Sequence, residues 1–223
     1  MDCDRNICCS QEYNGGCETC VCNKNSKSVM FKKAVIGELN RIVRKEKGYD
    51  YFEGLKTLLD LISIPITEKN KLFWKQFSVD PASTKYHGNR KHGLIRHSSS
   101  VARQLMRYEA CGLAYWERPE SPVIIGLLHD ICKVGTYRES GGEYTYNKGN
   151  EVWKGHATKS LALISTELFE GFKLTEQEAL CIRYHMGPYE TEEWNEYGKA
   201  IEVYQEVLFT HTADMYSTHC LNL

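Results

Sequence analysis

Six side chains able to bind a metal recur along the chain in a fixed order: His97, the adjacent pair His129-Asp130, His156, His185 and Asp214. Successive groups stand 32, 26, 29 and 29 residues apart, so each can come from a different helix. Imidazole nitrogen and carboxylate oxygen together suit divalent ions, and two ions sharing a carboxylate can turn water into a nucleophile at neutral pH. A lone histidine on an apolar face is usually a hydrogen-bonded core residue. A carboxylate there is different, because burying it costs several kcal/mol unless it is paired or metal-bound. Asp130 ends the apolar run PVIIGLLHD, and Asp214 falls within the apolar stripe of the last helical segment.

The elements that must carry these residues follow from hydrophobic spacing. Helical periodicity is expected from Phe31 to about Glu46 and from Tyr51 to about Ile62, the second closed by Pro65. From there to His92 the chain reads as irregular, with a turn at Asp80-Pro81. Leu94, His97, Val101 and Leu105 share a stripe on a helix over Gly93–Ala110, which points His97 at the core. Residues Pro122–Lys133 are apolar nearly all round and predict a central helix. Gly141-Gly142, flanked by Thr136-Tyr137 and Tyr144-Thr145-Tyr146, predicts a β-hairpin. Helices are then expected from His156 to about Phe169 and from Thr175 to His185, the latter opened by a Thr175/Glu178 capping box. A last long helix over about Tyr197–Thr218 would place Tyr204, Val207, His211 and Asp214 on one face. The expected fold is an all-α bundle with one small inserted β-hairpin over residues 29–223, preceded by a Cys-rich tail, 1–28.

Composition excludes several classes. An apolar content of 42% with 26% charged residues is that of a globular protein. No run approaches the length of a membrane span, and the N-terminus lacks the apolar core of a signal peptide, so a cytoplasmic protein without membrane association is expected. The net charge of −1 argues against tight, unselective binding of long nucleic acid. Charge is nevertheless uneven: residues 84–107 carry six Lys/Arg and no acid, whereas 167–214 carry eleven acids against three Lys/Arg. Six of the ten cysteines crowd the first 22 residues. Cys3, Cys8, Cys17 and Cys20 can form a small four-thiolate zinc site; the alternative is a disordered, thiol-bearing tail.

The order His…His-Asp…Asp resembles the signature of the HD superfamily of metal-dependent phosphohydrolases over about residues 87–219. LLHDICKVGTY (127–137), EYTYN (143–147), WKGHATKSLALI (153–164) and GLIRHSSSVA (93–102) are similar to the HD domain of a bacterial 3′→5′ exoribonuclease family. That family usually carries an OB-fold ahead of the HD domain. Residues 1–65 lack its strand pattern, which favours a smaller phosphate substrate. Tyr184 also stands where many two-metal members have a further histidine.

The resemblance implies an HD-domain bundle holding two divalent ions, with Mn, Fe, Mg or Ni as candidates. One ion would be held by His97, His129, Asp130 and Asp214, the other by Asp130, His156 and His185. Asp130 and Lys133 are the candidate catalytic residues. Lys133, Arg90, Lys91, His92 and Arg96 are candidate phosphate ligands, while Tyr144, Tyr146, Trp153, Tyr189 and Trp194 could stack a base or simply pack. The implied reaction is hydrolysis of a nucleotide, cyclic nucleotide or short oligonucleotide. The same ligands also resemble HD-type diiron oxygenases acting on a small polyol or phosphonate, and a non-catalytic HD sensor or scaffold is a third reading.

Overall fold

Apolar stripes at helical spacing drive each amphipathic segment onto the next, and the outcome is an all-α architecture with one small antiparallel hairpin. The computed structural model describes residues 27–84, 88–147, 155–187 and 194–223. The four thiols of the expected zinc site, and Trp153 and Tyr189, lie outside these. The helices are α1 (Lys27–Arg44), α2 (Tyr51–Leu61), α3 (Lys71–Val79), α4 (Gly93–Ala110), α5 (Ser121–Leu128), α6 (His156–Ile164), α7 (Glu176–Arg183), α8 (Trp194–Val203) and α9 (Glu206–Met215). A π-helical turn, Tyr216–Cys220, follows α9. Strands β1 (Tyr137–Ser140) and β2 (Glu143–Tyr146) pair Tyr137 with Tyr146 and Ser140 with Glu143. Among the described residues, no helix is long and apolar enough to cross a membrane.

Three elements differ from expectation. The stretch before His92 contains α3, whose Trp74 and Phe77 are fully buried. Aromatic residues are middling helix formers, so contacts of Trp74 with Phe73, Phe77 and Phe169, rather than local propensity, carry this helix. The central helix stops at Leu128; Asp130 leaves helical geometry (φ −107°, ψ 18°) and a 3-10 turn, Ile131–Lys133, follows. The last helix divides between α8 and α9. There Gln205 donates its side-chain amide to the Leu113 carbonyl, and buried Glu206 accepts the Tyr115 N–H at 2.8 Å.

Helices α4 and α5 meet closely because of one residue. A Cβ at Gly126 would lie 2.5 Å from the N, Cα and Cβ atoms of Ala102, so only glycine permits this approach. The contact lies little more than a turn from His97 on α4 and His129 at the end of α5. It therefore sets how near the two imidazoles come. Gly126→Ala should destabilise the fold by about 1–3 kcal/mol through overpacking. Gly37→Ala in α1, where an added methyl meets nothing within 4 Å, should instead stabilise it. Urea denaturation of both variants checks this, and equal and small effects would contradict the close crossing.

Candidate metal centre

Five of the six expected ligands converge in the core. His97, His129 and His185 are fully buried, Asp130 is 2% exposed and Asp214 9%. They arrive from α4, the end of α5, the turn after α7 and α9. His97 Nε2 lies 3.1 Å from Asp214 Oδ1, 3.3 Å from His129 Nε2 and 3.6 Å from Asp130 Oδ2. His129 Nε2 lies 3.4 Å from Asp130 Oδ2, and His185 Nε2 lies 3.8 Å from Asp130 Oδ1.

The rings are held by their other nitrogens. Nδ1 of His97 donates to the Leu223 oxygen (2.9 Å), that of His129 to the Gly126 carbonyl (2.9 Å), and that of His185 to the Ile182 carbonyl (2.7 Å). A carbonyl can only accept, so Nδ1 carries the proton and Nε2 turns its lone pair inward, the tautomer that binds metal. Two such lone pairs 3.3 Å apart repel unless a proton or cation lies between them.

An ion about 2.0–2.2 Å from its nitrogen and oxygen ligands spaces those ligands roughly 3–4 Å apart, which matches these separations. The ligand atoms of His97, His129 and Asp214 lie within 4.8 Å of one another, and this group can hold a metal ion. Asp130 Oδ1 and His185 Nε2 add a second sign of fit. Both are buried without a hydrogen-bond partner and face each other across 3.8 Å. Such orphans are costly, and a cation between them would satisfy both.

Electrostatics agrees. Burial opposes ionisation of Asp130, but Lys133, with His129 and His185 behind it, outweighs that and holds the carboxyl well below its usual range. Asp214 is likewise held low against burial, chiefly by His97 beside it. Burial works against a charge on His129, yet Asp130 and Asp214 raise its pKa, while burial and then the neighbouring His129 push that of His185 down to about 4.

Lys133 is drawn into the centre, its Nζ 2.6 Å from Asp130 Oδ2 and its side chain 11% exposed. It orients the carboxylate and leaves Oδ1 toward His185. His156 begins α6 on the exposed side, with Nδ1 3.8 Å from Cys132 Sγ. The Cys132 thiol is pushed up to about 12 by burial and then by Asp130, so it is no nucleophile at neutral pH.

The expected phosphate ligands separate. Arg90 and Lys91 are exposed, with Arg90 Nη2 3.4 Å from the Asn222 carbonyl. His92 stacks on Tyr51, ring centroids 4.2 Å apart, and Arg96 donates to the Val43 carbonyl of α1 at 3.0 Å. Tyr184 belongs to the apolar core. Tyr146 lies against Tyr137, Tyr144 is half-buried, and Trp194 is 63% exposed with its ring 6.3 Å from Tyr197.

Other supports have no motif of their own. Ser160 donates to the His129 carbonyl at 2.7 Å and accepts the Cys132 N–H, holding the break where α5 ends. Buried Asp80, hydrogen-bonded by Gln76, accepts the Gly135 N–H at 2.7 Å and so pins the turn beyond Lys133, where Gly135 takes φ +70°. His211 Nδ1 donates to the His185 carbonyl at 2.8 Å. Only the polar type of these residues and their apolar surroundings could have hinted at such roles.

Comparison of the chain with protein-family models, with curated proteins and with solved structures yielded no match.

In the metal-free protein, burial of a neutral His185 couples folding to pH. The unfolded chain takes a proton at His185 near pH 6.5, the folded one only near 4, so acidification between these values favours unfolding. Depressed Asp130 and Asp214 add to the loss at still lower pH. Thermal melts of metal-free protein should therefore fall steadily from pH 6.5 to 4, and His185→Gln should flatten that slope. An unchanged slope in the variant would contradict the buried neutral imidazole.

Proposed function

We propose that the chain is a metal-dependent phosphohydrolase of the HD type, acting on a nucleotide, cyclic nucleotide or short oligonucleotide. The observation that carries this reading is the buried set His97, His129, Asp130, His185 and Asp214, with three Nε2 lone pairs turned inward and Asp130 Oδ1 left bare. His97, His129 and Asp214, with Asp130 Oδ2, would hold one ion. Asp130 Oδ1 and His185 would begin a second site, with His156 the further donor available to it. A divalent ion bound there supplies an acidified water and neutralises charge on a phosphoryl oxygen.

Charge balance favours a phosphate. Two carboxylates against the Lys133 ammonium leave −1 in the centre; a dication turns this to +1, which attracts an anionic ester. Lys133, already beside Asp130, can then hydrogen-bond a phosphate oxygen as a point charge. Burial of the ligands keeps bulk water from screening these interactions.

With Mn²⁺ supplied, wild-type protein should release phosphate or cleave a phosphodiester within a panel of nucleotides, cyclic nucleotides and short oligonucleotides. Asp130→Asn should lower kcat/KM by about a thousandfold, corresponding to about 4 kcal/mol. Lys133→Met should lower it by roughly ten- to a hundredfold. Equal inactivity of wild type and Asp130→Asn across the panel would overturn the proposal, as would oxygen uptake with iron and no phosphate release.

A further inference from the structure

Helix α4 carries a second chemical face. Arg96, Arg103 and Arg107 recur at intervals of seven and four residues and so share one side of the helix. Residues advance 100° around a helix, which sets this stripe about 100° from His97 and on the side opposite Leu105. It faces α1: Arg96 Nη2 donates to Val43 O at 3.0 Å, and Arg103 Nη1 to Asn40 Oδ1 at 3.4 Å. Exposed Arg44 ends α1 on the same groove, and its charge is felt at Arg103 together with that of Arg107.

What the groove lacks is acid. Nearby carboxylates are already paired, Glu109 with Lys32 and Glu38 and Glu46 with Arg41. Among the described residues, Arg44, Arg96, Arg103 and Arg107 face no carboxylate within salt-bridge distance. Arg96 and Arg103 are half-buried, and their buried Nε donors have no hydrogen-bond partner. Burial and like-charged neighbours lower both guanidinium pKa values. Four cations along one groove, facing no acid among the described residues, are complementary to an external anion.

Dimensions narrow the ligand. From residue 96 to 107 the stripe runs roughly 16 Å along the helix axis, too far for one phosphate group. It suits several successive phosphates along one nucleic-acid strand. We propose that the α1–α4 groove binds the phosphate backbone of a short single-stranded nucleic acid, at a site separate from the metal centre.

The test is a fluorescence titration of the full chain, as isolated, with a labelled single-stranded oligonucleotide over a range of salt. Four phosphate contacts predict a log–log salt slope of about −3, falling to about −1.5 in Arg44→Gln/Arg107→Gln, with at least about tenfold weaker binding. Both substituted residues are exposed, so circular dichroism and melting temperature should not change. Asp130→Asn should bind the strand as wild type does, whatever becomes of activity. Absent wild-type binding, equal binding by the double variant, or loss in Asp130→Asn alone would overturn the proposal. So would pyrophosphate binding as tightly as the oligonucleotide, which would mean a lone-anion site.

Discussion

Asp130 is an ionised carboxylate with almost no access to water, set in the middle of a helical core. Left alone it would cost several kcal/mol, so the surrounding structure is arranged to compensate it. Lys133 bonds one oxygen, His97 and His129 crowd the same atom, and the other oxygen faces His185. Asp214 repeats the problem 3.1 Å from His97. Two buried acids among three imidazoles form a cluster whose natural complement is a metal cation.

The scaffold can be followed outward from that constraint. The Gly126–Ala102 contact lets α4 and α5 approach until His97 and His129 stand 3.3 Å apart. Ser160 fixes the point where α5 stops, so that Asp130 leaves the helix and Lys133 curls back to it. Farther out, buried Glu178 accepts from Arg118 at 2.7 and 2.6 Å and from Ser121 at 2.7 Å, tying the start of α5 to the start of α7. These two helices deliver His129 and His185. A bidentate pair of this kind, once formed, is expensive to break from one side, so it locks their relative placement.

Much of this was legible in the residues themselves. The Leu94–Val101–Leu105 stripe delimits α4 and points His97 inward, and Thr175 with Glu178 marks the start of α7. The spacing of His97, His129-Asp130, His185 and Asp214 is enough to suggest a shared site, because only a partner makes such buried carboxylates tolerable. What was not legible depends on distant contacts. Helix α3 forms because Trp74 meets Phe169, nearly a hundred residues away. The end of α5 is set by Ser160 on another helix. Arg96 sits 100° from His97, and local sequence does not say whether it turns to the site or to α1. The Val43 carbonyl decides.

Metal binding by this cluster is tested most directly by the stoichiometry of Mn²⁺ uptake, measured by calorimetry and elemental analysis at neutral pH. At least one ion per chain should bind to the wild type. His97→Ala and Asp214→Ala should abolish that binding while circular dichroism shows the helices intact. A wild-type chain that takes up no ion, or variants that bind as well as it does, would contradict a metal site here.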